Sequence, residues 1–241
     1  DPNFEQALID LGIDTNLTID GQVLTAAISE LTSLGVVSRG ISDLTGIEDF
    51  GALTTLNCYE NQLTSLDVSN NIALTNLSTG VNQLASLDVS KNTALTNLNC
   101  SDNLLTSLDI SNNFELGALF CQSNQLTSLD VSTNTSLTDL HCGGNQLTDL
   151  NVSNNTALGY LGCEVNQIIS LDVSNNIALY ALWCYNNQLT SLDFRNGNNT
   201  SIDVFGSTNN PNLTCIFVDD AAYSITSWTN IDQNSTFVEN E

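Results

Sequence analysis

The sequence offers one residue pair suited to acid–base catalysis: the lone histidine, His141, and the carboxylate of Asp139 two residues before it. A positioned His–Asp pair can move protons, and Glu164 supplies a further carboxylate one repeat later. A nucleophile elbow, a phosphate-binding loop and a metal-ligand motif are all missing from the sequence. Asp and His two residues apart on a strand are usually polar surface, so we expect no enzymatic activity.

Cysteines recur at a fixed interval. Six of the seven occupy one position of a 21-residue period: Cys58, Cys100, Cys121, Cys142, Cys163 and Cys184. Stacked layers would bring them within disulfide distance. Parallel side chains in a straight column nevertheless do not converge, whether to form a bridge or to supply the four ligands of a zinc site. We therefore expect small, buried, free thiols, with Cys215 outside the column.

Acidic residues form a second column with the same period. Its members are Asp67, Asp88, Asp109, Asp130, Asp172 and Asp193, with Asn151 as the one gap. Carboxylates stacked about 4.8 Å apart repel by ~1 kcal/mol per neighbour even in water. Two interpretations stay open: the aspartates bond to local turns and water, or they bind calcium weakly, since calcium prefers oxygen ligands. We expect no other cofactor.

Both columns belong to a repeat with the pattern LxxLxCxxNxLxxLDVSxNxx. Seven copies follow one another without a change of length, starting at Leu53, Leu74, Leu95, Leu116, Leu137, Leu158 and Leu179. In LxC and LDV, apolar and polar residues alternate, which predicts a short strand with one buried face. The asparagine after each half suits a tight bend. Each copy is thus predicted to be one coil with two short strands, and stacked coils to form two parallel ladders.

This pattern resembles leucine-rich repeats, specifically the nested 21-residue bacterial class called IRREKO, in which LxxLxCxxN is followed by LxxLD. The resemblance covers residues 53–199 and implies a right-handed solenoid on a secreted or surface protein, with no particular ligand. A single coil buries too little apolar surface to order itself, so stability is collective and both ends need caps. We expect an α/β-type repeat solenoid dominated by short parallel β-strands, with an N-terminal capping helix and an irregular C-terminal cap.

Four segments are predicted along the chain. Residues 1–30 form a helical cap, residues 31–52 a leading coil of 22 residues, residues 53–199 the seven repeats, and residues 200–241 a degenerate last repeat with the C-terminal cap.

The two caps have their own signals. In DPNFEQALIDLG, Asp1 is the predicted N-cap, Gly12 the stop, and the buried face consists of Phe4, Leu8 and Leu11. Tyr223 and Trp228 are expected to help close the C-terminal end of the solenoid.

The outward positions of the first strand vary between copies, whereas those of the second hardly change. Because side chains alternate along a strand, the variable residues cannot enter the core beside Leu and Cys. They form the predicted ligand-binding face: Phe120, Gln122, Asp139, His141, Tyr160, Glu164, Trp183 and Tyr185. A depression in this face is expected where the residues lack side chains, at Gly143, Gly144 and Gly162. Aromatic residues also favour strands and can simply cover their neighbours, so this explanation stands beside ligand binding.

Composition narrows the choice of partner. Three basic residues against 27 acidic ones give a formal charge of -24, which argues against nucleic acid and anionic membrane surfaces. No apolar stretch is long enough for membrane insertion. Because the chain opens without Met, as after removal of a leader, we expect a secreted or cell-surface, extracellular protein, and we expect a monomer.

The predicted function is a non-enzymatic recognition or adhesion module of a bacterial surface protein. It would bind an extracellular protein or polysaccharide through the aromatic-rich first-strand face, since exposed rings on a rigid ladder suit either target. The alternative is a structural spacer or stalk with no ligand of its own.

Overall fold

The predicted repeat solenoid is confirmed by the structure, a computed structural model that describes residues 1–239. The last two residues of the predicted 200–241 segment lie outside the described part. The strands are, in chain order, β1 Ser33–Gly35, β2 Thr55–Asn57, β3 Asn76–Ser78, β4 Asn97–Asn99, β5 Ala118–Phe120, β6 Asp139–His141, β7 Tyr160–Gly162, β8 Ser170–Asp172, β9 Ala181–Trp183, β10 Ser191–Phe194, β11 Val204–Gly206, β12 Cys215–Val218 and β13 Thr236–Val238. The helices are α1 Pro2–Asp10, α2 Thr25–Ile28 and α3 Ala221–Ser227, with 3-10 turns at Ile47–Asp49 and Asn199–Ser201.

The first strand of every coil joins one parallel sheet of nine strands, ordered β1-β2-β3-β4-β5-β6-β7-β9-β11. Because the repeats have equal length, equivalent residues pair, for example Leu119 with Leu140 and Phe120 with His141. The central residue of each strand, a Leu everywhere except Phe205 in β11, points into the core, and its two neighbours point outward. The sheet therefore presents one continuous face on which each repeat position forms a row.

The second ladder is shorter than the sequence predicts. Only β8, β10, β12 and β13 form a parallel sheet, in the order β13-β12-β10-β8, so the expectation of two full-length ladders is wrong for the earlier coils. There the second-segment carbonyls bond to a side chain instead: Asn92 Nδ2 donates to Val68 O at 3.0 Å. This pattern continues as far as Asn176, which donates to Val152 O, whereas Asn196 donates to Asn176 O. The ladder begins where that side-chain bridge stops.

An asparagine after each cysteine position ties adjacent coils together. Asn145 Nδ2 donates to the carbonyls of Cys121 and Cys142 at 3.0 Å each, and its Oδ1 accepts from Leu126 N at 3.0 Å. The buried side-chain amide of one asparagine thus bonds to the backbone of two adjacent coils. The same arrangement recurs at Asn82, Asn103, Asn124, Asn166 and Asn187.

The turn that presents this asparagine needs a left-handed residue just before it. Six such residues in the repeats are not glycine: Glu60, Val81, Asp102, Ser123, Val165 and Asn186. Gly144 occupies the same place with φ +63°. Asn and Gly accept this backbone region readily, whereas a β-branched side chain is strained there. Val165, with φ 55°, therefore carries local strain.

The cysteine prediction is confirmed. The six column cysteines are free and fully buried, and they alternate with leucines in one core. Burial raises the pKa of Cys58 and of Cys100 to about 12, so these thiols stay protonated and behave as small apolar groups. Cys215 is free and only partly buried.

Both caps cover the ends of this core. Asp1 caps α1 by accepting from Asn3 N and Phe4 N, and Phe4 and Leu8 are buried as predicted. Leu11 was predicted inside but is 46% exposed, because α1 ends at Asp10 and Leu11 is already its C-cap.

At the other end, Trp228 is buried. Its ring stacks on Phe205 with centroids 4.5 Å apart and packs edge-on against Phe194 and Phe237. Tyr223 stays partly exposed and donates from its hydroxyl to Thr200 O.

We predict that Asn145→Ala lowers the free energy of unfolding by about 3 kcal/mol or more, because several buried backbone groups lose their partners. Urea denaturation monitored by circular dichroism measures this change. The matched control is Gln146→Ala at the adjacent exposed residue, which should change stability by less than about 0.5 kcal/mol. Equal effects of both substitutions would contradict the asparagine's role.

Val165→Asn should raise the free energy of unfolding by about 1 kcal/mol, since it removes a β-branched side chain from a left-handed site. Asn186→Val makes the reverse change at the equivalent position one coil later and should destabilise by a similar amount. The same denaturation assay applies, and a loss of stability in Val165→Asn would refute the strain.

Candidate functional site

Three of the predicted site residues form a continuous stack on the first-strand face. The Phe120 ring and the His141 imidazole lie 4.5 Å apart at 21°, and the His141 imidazole and the Tyr160 ring lie 4.1 Å apart at 18°. Phe120 pairs directly with His141, whereas Tyr160 pairs with Asp139 and reaches His141 diagonally. The direct partner of His141 is Gly162, which has no side chain and leaves room for the Tyr160 ring. All three side chains are partly exposed, so the stack presents ring edges and one end to solvent.

Trp183 and Tyr185 form a second aromatic group one coil further on. Their rings meet edge to face with centroids 5.9 Å apart, and both are partly exposed. The indole lies over Gly206 of the next coil, where a β-carbon would stand 2.6 Å from the Trp183 Cε3 atom. Trp183 thus covers a neighbouring coil on one side and faces outward on the other. Its position is compatible with both explanations given above, ligand binding and the covering of a neighbour.

Tyr180 joins this surface although the sequence prediction left it out. Its ring lies over Gly159, with Tyr180 Cε1 2.7 Å from the place of a β-carbon there, and the residue is 44% exposed. Burial and the nearby Glu164, Tyr185 and Tyr180 raise the pKa of Tyr160. Gly159 stands where four of the other copies have Thr, and it is the sequence signal that allows this packing.

The side chain of Glu164 fills the depression that the sequence predicted at Gly143 and Gly162. A β-carbon at Gly143 would stand 2.6 Å from Glu164 Oε1, and one at Gly162 would stand 3.1 Å from Oε2. Burial raises the pKa of Glu164. The glycines therefore accommodate a carboxylate instead of leaving an open depression.

The His141–Asp139 pair is arranged for packing. The imidazole is stacked between two rings, and Asp139 Oδ2 accepts from the Thr138 hydroxyl at 2.7 Å. Burial lowers the pKa of His141 against the opposing charge of Asp139. The imidazole is therefore neutral at pH 7, and it acts here as an aromatic ring.

A groove of about 320 Å³ lies on the same face nearer the N-terminus. The strands of three repeats line it together with Phe120. The lining residues are Thr55, Leu56, Asn57, Asn76, Leu77, Ser78, Asn97, Leu98, Asn99 and Phe120. Side-chain amides can bond to main-chain groups or hydroxyls of a ligand. The repeated Asn at these positions was visible in the sequence, but the prediction passed over it in favour of the rings.

The aspartate column lies on the second segment and caps its turns. Each Oδ1 accepts from the backbone N–H two residues later, for example from Ser111 to Asp109 at 2.9 Å, and Asn151 accepts from Ser153 in the same way at 3.0 Å. These backbone bonds and bonds from the serine side chains lower the pKa of Asp109 despite its acidic neighbours. The pKa is lowered in the same way at Asp67, Asp88 and Asp130, and at Asp193 by Arg195.

Within residues 1–239, no three His, Cys, Asp or Glu side chains are placed to hold a metal ion. Weak calcium binding by single carboxylates of the column stays a prediction. Over the same residues, no helix combines the length and apolarity needed to cross a membrane.

No protein-family model matches this sequence, and no curated protein matches it. Solved structures do match. Internalin C2 from Listeria monocytogenes is 21% identical with a TM-score of 0.67, covering 90% of this chain and 93% of that one. The leucine-rich-repeat ectodomain of the Arabidopsis thaliana receptor kinase GASSHO1/SCHENGEN3, solved in complex with CASPARIAN STRIP INTEGRITY FACTOR 2, is 22% identical with a TM-score of 0.72 and covers 86% of this chain and 27% of that one. Both support the leucine-rich-repeat fold.

The functional domain of InlJ from Listeria monocytogenes is also similar, at 28% identity and a TM-score of 0.38. That match covers 81% of this chain, which spans 60% of the length of the InlJ domain.

We predict that the column carboxylates contribute to the acid sensitivity of the fold. Their folded pKa values are lowered, so their stabilisation is complete above the unfolded value near pH 3.9 and is lost as pH falls through the folded values. A D88N/D109N/D130N variant keeps the turn bond, as Asn151 does, but should lose less unfolding free energy between about pH 5 and about pH 2.

Urea denaturation at a series of pH values measures this loss. A D102N/D149N/D203N variant is the control, since it makes the same charge change at exposed sites outside the column. If the two variants show the same pH dependence, the capping bonds do not cause the lowered pKa values.

Proposed function

We propose that this chain is a non-enzymatic recognition module that binds a protein partner through the first-strand face of the solenoid. The observation that carries the proposal is the cluster of partly exposed rings on a rigid, in-register sheet. We call this cluster the aromatic patch, formed by Phe120, His141, Tyr160, Tyr180, Trp183 and Tyr185. Partly exposed rings held in fixed positions lose little entropy on binding and supply large contact area.

The rest of the face complements the patch. The groove, whose outward side chains include four asparagines, reaches Phe120, where the ring stack begins, so the two parts of the face adjoin along one surface. An extended segment of a partner could place main-chain groups on the amides and side chains against the rings. The plant receptor ectodomain of similar fold, solved in complex with a protein factor, supports a protein partner, and a polysaccharide is the other outcome that the test must separate.

The acidic surface bears on the choice of partner. With a net charge of -24, the chain attracts basic partners and repels acidic ones. A role in adhesion at a bacterial surface, or after secretion, belongs to the same proposal and is supported by the resemblance of the repeat to the bacterial class. Weak binding of calcium by the aspartate column is a separate proposal, which the presence or absence of calcium in the binding assay tests.

The test is a binding screen against immobilised matrix proteins and matrix polysaccharides, with and without calcium. We expect wild-type protein to bind a protein target and a W183A/Y185A variant to bind it at least about tenfold more weakly, because two patch rings are lost. The control is F114A/I177A, which removes two large apolar side chains, 55% and 64% exposed, outside the first-strand face.

Equal affinity of wild type and W183A/Y185A, with both variants folded by circular dichroism, would refute recognition through the patch. Binding of polysaccharides alone would replace the protein partner with a glycan. No binding to any target would favour the spacer.

A further inference from the structure

Glu164 is a partly buried carboxylate without a cation beside it. Its Oε2 atom is buried and has no hydrogen-bond partner. The ion pairs in residues 1–239 are Arg39–Asp10 and Arg195–Asp193, so neither pairs Glu164. Removing a carboxylate from water without a partner is unfavourable, and the fold accommodates it only because Gly143 and Gly162 lack side chains.

The ring of Tyr160 lies beside this carboxylate. A β-carbon on Gly162 would stand 3.2 Å from Tyr160 Cε1 and 3.1 Å from Glu164 Oε2. The tyrosine ring and the carboxylate therefore meet over this glycine. Tyr160 stacks in turn on His141. Tyr185 occupies the same repeat position as Glu164 one coil later. A carboxylate without a cation, placed beside an aromatic ring, is a combination that favours an organic cation.

A second unpartnered acceptor lies on the same row. Gln122 lies two coils before Glu164 at the same position of the repeat. Its Oε1 atom is also buried and has no hydrogen-bond partner. Between the two, Gly143 contributes no side chain. This part of the face therefore offers acceptors and rings, and what it lacks is a donor with positive charge.

We propose that Glu164 anchors a cationic side chain of the protein partner, a lysine ammonium or an arginine guanidinium, against the rings of Tyr160 and Tyr185. This inference rests on the proposed function and specifies the chemistry of its ligand. The rotatable side chain of Glu164 lets the carboxylate swing out from the glycine hollow to meet the cation. The exchange replaces an unpaired carboxylate with a charge-assisted hydrogen bond, and the net negative charge of the chain favours the approach of the cation.

The test uses the full chain and small probes in place of the partner. Nα-acetyl-lysine methylamide and Nα-acetyl-arginine methylamide are titrated against 15N-labelled protein, with Nα-acetyl-norleucine methylamide as the uncharged probe. We expect the charged probes to shift the amide resonances of Gly143, Gly162 and Glu164 with saturation, and the norleucine probe to leave them in place.

Glu164→Gln keeps the shape and removes the charge, so it should weaken the charged probes by at least about tenfold while unfolding no earlier on heating. Glu60→Gln, at an exposed carboxylate on an earlier coil, is the matched control and should bind like wild type. Unchanged binding in Glu164→Gln, equal response to norleucine, or shifts spread evenly over the acidic surface would each overturn the proposal.

The outcomes separate the two proposals. If Glu164→Gln keeps full affinity for the protein target while W183A/Y185A loses it, recognition through the patch stands and the cation anchor falls. If the cationic probes bind at Glu164 but W183A/Y185A still binds the target normally, the cation site at Glu164 is supported and recognition through the aromatic patch is refuted.

Discussion

Every other feature of this molecule depends on the hydrogen bonding between coils, because a single coil of 21 residues cannot fold by itself. Backbone bonds join the first strands, and a buried asparagine in each turn bonds to the carbonyls of two coils at once. These directional bonds fix the register, and the register decides which side chains enter the core. The cysteines are buried and the rings are outside for the same reason.

The two sides of the coil are held differently, and this decides which outward positions are free to vary. On the first-strand side, nine strands follow one another with backbone bonds throughout. On the second side of the earlier coils, the bonds run through asparagine side chains instead. The second segment repeats nearly the same residues because each Asp and Ser serves the turn. The first strand needs only its inward residues for the fold, so its outward residues are free to vary.

Much of the fold was predictable because apolar and polar residues alternate in the same way in every copy of the repeat. Leu, Cys and Asn at fixed spacing predicted the coils, the buried thiols and the outward face, and the structure confirms them. The shorter second ladder has a sequence signal that the prediction missed: Gly197 stands where earlier copies have the bridging asparagine, such as Asn176. Asn196 lies one residue before that position and bonds to Asn176 O instead. The end of α1 at Asp10 was misjudged because the pattern of Phe4, Leu8 and Leu11 continues past it.

The site was less predictable than the fold, because the direction of a surface side chain depends on the neighbouring coil. Glu164 leans over Gly143, Tyr180 over Gly159 and Trp183 over Gly206. Each pair unites residues that are far apart in the chain, and no pattern within one copy reveals it. The rings could be assigned to the correct face from the alternation alone, whereas their contacts required the stacked structure.

The uniform length of the coils has a consequence for how such a surface can change. Because each coil touches only its two neighbours, a whole coil of the same length can be inserted or removed while both caps keep their contacts. The outward rows of the first-strand sheet can thus change in number and order while the core sequence stays the same.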